Sequence, residues 1–263
     1  MGHLYERTDA PETLALVRAA ELRADAVAKR LGLETCHVHS NYNELFPQTL
    51  LYMAVYADMA CVHALGRLFG AYFYASDGKA VLDLANQECR DASEYDLFSL
   101  PNLSTGSLAL YSEGAGTMRW QKIRRVADFP PATEMLNVCC QELRNCGPSD
   151  GESNRNCGIC DKCQRTLLEA DAQGLLERFG SVFDLEAYHN GGKRLALRYM
   201  LRRHLIHDAF LDFAWENLHH QLKLSDWIAE RKAVLRAGRN ALRKLFHVNR
   251  VPRFKDPREG SGL

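Results

Sequence analysis

Three cysteines at intervals of three, Cys157-Gly158-Ile159-Cys160-Asp161-Lys162-Cys163, constrain this chain more than any other feature. Thiols so spaced, with a glycine permitting a tight turn after the first, converge on one ion at Zn–S distances of ~2.3 Å. Cys160 and Cys163 fall at the start of a helix carrying Gln164-Arg165-Thr166-Leu167. There the free backbone N–H groups and the positive end of the macrodipole favour thiolates. A fourth ligand has to come from Cys139, Cys140 or Cys146, with the polar stretch from Pro148 to Asn156 folding back to bring it in. An iron–sulfur cluster also takes four thiolates, but the ferredoxin run continues with a fourth cysteine followed by proline, and position 167 is Leu. A redox dithiol gives the third cysteine no role. Zinc fits best, and four thiolates leave it no open position, so the expected site is structural.

The surroundings of the motif set the compartment. Residues 1–10 contain no apolar run of the kind a secretion signal needs. Nine cysteines in such a chain point to a reducing, cytoplasmic setting in which thiols bind metal and do not staple loops. The longest apolar stretch, 49–69, is interrupted by Asp58, His63 and Arg67, which makes it a core helix and excludes a membrane partner. Apolar residues at 46% and charged residues at 25% exclude a disordered or fibrous chain. The formal net charge is zero but unevenly distributed: residues 1–192 carry 17 basic against 26 acidic side chains, residues 193–263 carry 16 against 7.

Periodicity predicts a helix over 11–31, where Leu14, Val17, Ala20, Ala24, Val27 and Leu31 recur at steps of three or four between Pro11 and Gly32. Strands are expected at 33–39, 71–75, 107–111 and 135–138, with helices at 49–69 and 119–126. Strands separated by helices imply an α/β fold with a parallel sheet and right-handed crossovers. Beyond residue 164 the pattern is helical, with Leu-, Ala-, Arg- and Lys-rich segments at 193–206 and 224–246.

The run Asn156-Cys157-Gly158-Ile-Cys160-Asp-Lys162-Cys163-Gln-Arg165-Thr166, preceded by Leu136-Asn137-Val138-Cys139, resembles the zinc knuckle closing the PP-loop ATP pyrophosphatase-like proteins. These are relatives of 7-cyano-7-deazaguanine synthase in the adenine nucleotide alpha hydrolase-like superfamily. The resemblance makes Cys139 the fourth ligand beside Cys157, Cys160 and Cys163. It extends upstream through Val38-His39-Ser40-Asn41, Tyr74-Ala75-Ser76-Asp77, Asp96-Leu97-Phe98-Ser99 and the segment from Gly114 to Arg119, Lys122 and Ile123, covering about residues 3–170. It implies a Rossmann-like (HUP-type) parallel sheet with flanking helices. The implied division is an incomplete α/β domain over 1–135, the knuckle over 136–170 and a basic helical region over 171–263.

The resemblance further implies ATP- and Mg²⁺-dependent adenylation of a small-molecule substrate with release of pyrophosphate, then attack by a nitrogen or sulfur nucleophile. Arg119 and Lys122 would neutralise phosphate charge, Asp77 or Asp96 would orient substrate or Mg²⁺, and Asn41 and Ser76 would lie at the nucleotide. The family's S-G-G-x-D-S loop, which holds pyrophosphate at a helix N-terminus, is absent from the sequence. By the match it would precede Met1, or a partner protein would supply it. Four lost charge-assisted bonds at about 1.5–3 kcal/mol each remove over ~10⁴ in affinity, so weak ATP binding and an inactive chain are expected.

The same residues also have plainer readings. Arg119 and Lys122 can belong to a solvated basic face with Arg124 and Arg125, and Asn41, Ser76 and Asp77 to turns. His37 and His39 read as an ordinary strand end, and Cys36, Cys61 and Cys89 as buried thiols. The basic C-terminal region suggests a second function class, a non-catalytic zinc-stabilised module contacting nucleic acid or a protein.

Overall fold

The structure is a computed structural model that describes residues 11–41, 50–76, 95–139, 156–207 and 209–248. It is helix-rich, with a small parallel sheet, and divides into two compact units, Met1–Gly192 and Lys193–Leu263.

In the first unit, Pro11–Leu31 forms the expected helix and ends at Gly32, whose φ of 68° lets the Leu33 N–H turn back to the Ala28 carbonyl. Residues 33–41 form no strand. The segment is tied instead to acids of the preceding helix: Thr35 Oγ1 donates to Asp25 at 2.7 Å, His37 meets Asp25 at 2.8 Å, and His39 meets Glu21 at 2.8 Å. These contacts give both imidazoles a carboxylate partner. Cys36 is exposed, not buried, and Cys61 is half-buried.

The sheet pairs β1 (Ala71–Ala75) with β2 (Ala109–Glu113) in parallel, Ala71 opposite Ala109 and Ala75 opposite Glu113. Parallel neighbours need a crossover, and the connection includes the Asp96–Leu103 helix. Alternation sorts the two faces. Tyr72, Tyr74, Leu108 and Leu110 pack with Leu100 and Leu103 and with Val55, Met59 and Val62 of the Leu50–Ala64 helix, while Phe73 stacks on Tyr111 outside, centroids 5.1 Å apart. Among the described residues the sheet has only these two strands. The strand expected at 135–138 is absent: Pro130–Met135 is helical, and 136–139 is irregular chain held by the Asn156 side chain.

After β2, the Arg119–Ala127 helix packs against the Asp161–Asp171 helix. The latter buries Cys163, Leu167 and Ala170, spaced four and three, and the Leu176–Phe179 turn packs on it. Phe179 meets Phe183 edge to face at 6.2 Å, and Tyr188 is fully buried with its hydroxyl donated to Asp171 at 3.1 Å.

In the second unit, Lys193–Leu205 buries Ala196, Leu197, Met200 and Leu201, and packs against Asp212–Leu218 and Leu224–Val248. Trp215 lies between a stacked His204 (3.6 Å) and an edge-on Trp227 (5.9 Å). Glu230, 0% exposed, receives Arg198 and Arg202, each at 2.7 Å, and Arg194 reaches Asp226 at 3.1 Å. Burial acts to raise the Glu230 carboxyl, but hydrogen bonds from Arg202 and Arg198 outweigh it and hold the group below its ordinary value. No described helix is long and apolar enough to cross a membrane.

Leu100 has 0% exposure at the centre of the sheet cluster. Leu100→Ala is expected to cost about 3 kcal/mol of the first unit's stability by lost transfer and a residual cavity, read as a lower urea midpoint.

Candidate metal centre

Cys139 lies in the irregular chain at 136–139, Cys157 precedes the Gly158 turn, Cys160 caps the Asp161–Asp171 helix, and Cys163 lies in its first turn. Their four Sγ atoms lie within 4.8 Å of one another. Cys139 to Cys160 is 3.8 Å, Cys157 to Cys163 is 3.9 Å and Cys160 to Cys163 is 3.4 Å. A tetrahedral ion with bonds of ~2.3 Å needs sulfurs about 3.8 Å apart, so the cage fits a single ion. Cys140 and Cys146 lie outside the described residues. Hydrogen bonding of the Cys163 S–H to the Cys139 and Cys160 sulfurs, then burial and the charges of those neighbours, push the Cys163 thiol far up. Thiolate is the form that ligates a metal, and a cation in the cage would offset the burial and neighbouring charge that oppose it at Cys163.

Two backbone devices build the turn. The Cys160 N–H donates to Cys157 Sγ at 3.3 Å. Gly158 has φ of 72°, and a Cβ there would run into the Asp184 carbonyl oxygen, so only glycine fits. Gln164 Nε2 donates to the Ile159 carbonyl at 2.6 Å, tying the turn to the helix that follows.

Cys139 is brought in by Asn156, a residue whose role sequence reasoning missed. Its carboxamide, 1% exposed, accepts from the Val138 and Cys139 N–H groups at 2.7 and 2.9 Å and donates to the Leu136 and Val182 carbonyls at 2.8 Å each. One side chain thus does the work of a strand for 136–139 and joins it to 182. The Asn156 backbone completes the clamp, donating to the Val182 carbonyl at 2.8 Å and accepting from the Asp184 N–H at 2.9 Å.

The remaining site residues distribute as follows. Lys122 and Ser76 come together: Lys122 Nζ donates to the Ser76 carbonyl at 2.6 Å, and the Ser76 N–H donates to the Glu113 carbonyl at 3.0 Å. Lys122 also covers Gly114, whose φ is 77°. Its ammonium therefore sits at the carboxyl ends of both parallel strands. Arg119, half-buried one turn before, has its charge beside Glu169 of the knuckle helix. Asp96 is fully buried as the first residue of its helix, Asn41 is exposed, and Asp77 and Cys89 lie outside the described residues.

Glu169 is the second residue the sequence did not single out. It is 1% exposed, and its Oε2 has no hydrogen-bond partner among the described residues. Gln173 Nε2 donates both to the Glu169 carbonyl at 3.0 Å and to the Trp120 carbonyl at 2.9 Å, linking the two helices beside it. Burial pushes the Glu169 carboxyl up to about 7, against an opposing pull from the Arg119 charge.

No family model, curated protein or solved structure matches the chain.

Asn156→Ala is expected to lower metal affinity at least tenfold while leaving all four thiols in place, measured by competition with a chromophoric chelator. For Glu169 the folded value is raised, so its stabilising contribution is complete below the ordinary carboxyl value and is lost as pH rises through about 7. Glu169→Gln is therefore expected to melt higher than the parent above about pH 7, the difference shrinking toward about pH 5. A constant difference in melting temperature across that range would refute the assignment.

Proposed function

We propose that this chain is a PP-loop pyrophosphatase-like protein in which a structural zinc ion on Cys139, Cys157, Cys160 and Cys163 braces a site for nucleotide phosphates at the strand ends. The observation that carries the reading is the sulfur cage, closed within 4.8 Å. A cluster spreads its thiolates over several irons and spaces them more widely than one ion does, so the cage favours a mononuclear site. Four thiolates fill the coordination shell. The ion's contribution is then to folding, and it activates no water.

The phosphate half of the reading rests on Lys122. Open α/β sheets bind ligands outside the carboxyl ends of their strands, which is where the Lys122 ammonium stands over Ser76 and Gly114. In this reading Lys122 and Arg119 offset phosphate charge that develops as pyrophosphate leaves. The helix pair Arg119–Ala127 and Asp161–Asp171 connects that basic end to the metal centre through Gln173. The larger Rossmann-like sheet, the adenylating chemistry and its nitrogen or sulfur nucleophile belong to the same proposal, supported by the motif resemblance.

Elemental analysis of purified protein is expected to give one zinc per chain without visible absorbance, and Cys163→Ser to lose it. Titration with ATP·Mg²⁺ is expected to show weak binding that Lys122→Ala reduces at least tenfold. Absence of stoichiometric zinc, or a coloured protein, overturns the metal assignment; ATP binding unchanged by Lys122→Ala overturns the phosphate site.

A further inference from the structure

The second unit carries a surface that the nucleotide reading leaves unused. From 231 to 248 the Leu224–Val248 helix has six cationic residues and no anionic one. The two carboxylates of the same helix, Asp226 and Glu230, lie in its first turns and are engaged by Arg194, Arg198 and Arg202. At about 100° per residue, Lys232, Arg236 and Arg239 lie roughly 120–180° around the helix from Glu230, on the side away from that packing. All three are exposed. Their spacing of four and three puts them in one row about 10 Å long.

Such a row weakens its own helix, because like charges at i,i+4 repel by a few tenths of a kcal/mol each. A polyanion reverses that sign. The phosphates of one strand rise ~3.4 Å per nucleotide along the duplex axis, so a row of this length lying along that axis spans about three of them. Two of its three members are arginines, whose fork takes phosphate oxygens in pairs. We propose that this outer face binds the phosphate backbone of nucleic acid, without reading sequence. An anionic bilayer fits less well. The neighbouring line of exposed apolar side chains, Leu224, Ile228 and Leu235, is broken by Arg231 and presents no continuous wedge to a membrane.

The test uses the full chain and a fluorescently labelled random-sequence DNA duplex, followed by anisotropy across a salt series. Binding is expected at low salt and to fall steeply as salt rises. The triple variant Lys232→Glu, Arg236→Glu, Arg239→Glu should weaken binding at least tenfold and flatten the log–log salt slope by about 2 to 3, at ~0.9 per phosphate lost. An unchanged circular dichroism spectrum checks that the triple variant keeps its helices. The control Arg124→Glu, Arg125→Glu, on exposed positions of another helix, should bind as the parent does. No duplex binding by the parent, equal loss in the control, or binding to phosphatidylserine vesicles but not to duplex would each overturn the proposal.

Discussion

Four backbone groups that a neighbouring strand would ordinarily satisfy are satisfied here by one buried side chain, the Asn156 carboxamide. An amide in that position is valuable because every lone pair and proton it uses replaces a bond to water; leaving one such group unpaired in the interior costs about 1–3 kcal/mol. The geometry follows from this single residue. Residues 136–139 run where the amide holds them, the Cys139 sulfur comes within 3.8 Å of Cys160, and 182–184 is drawn against the Gly158 turn. The metal cage is thus the visible end of a hydrogen-bonded clamp.

The clamp and the knuckle helix also explain why charge is placed as it is. Thiolates brought within 4.8 Å repel one another unless a cation sits among them, and the helix start that holds two of them supplies only a partial positive charge. Further along the same helix, Glu169 is buried where ionisation is costly, with Arg119 as its nearest help. The first unit therefore carries two sites in which burial and charge oppose one another. The second unit resolves the same conflict differently, by giving its buried Glu230 two arginines.

Much of this was legible in the sequence where local rules suffice. The helices at Pro11–Leu31, Lys193–Leu205 and Leu224–Val248 have periodic apolar residues, and the first has a proline start and a glycine stop. The aromatic run of β1 declares itself in the same way. Segments 33–39 and 135–138 misled because a short alternating run says nothing about whether a partner strand is available; carboxylates of the Pro11–Leu31 helix hold one, the Asn156 amide the other. The sulfur quartet could be read from spacing plus the motif resemblance, since three ligands are adjacent. Asn156 and Glu169 could not. A polar residue ending a polar loop and an acid on a helix both look solvated until packing shows them enclosed.

The clamp has a consequence for how tightly the cage can grip. Because the Asn156 amide fixes the Cys139 N–H at 2.9 Å, the fourth sulfur is brought beside the other three by folding, and an arriving ion need not supply that ordering entropy itself.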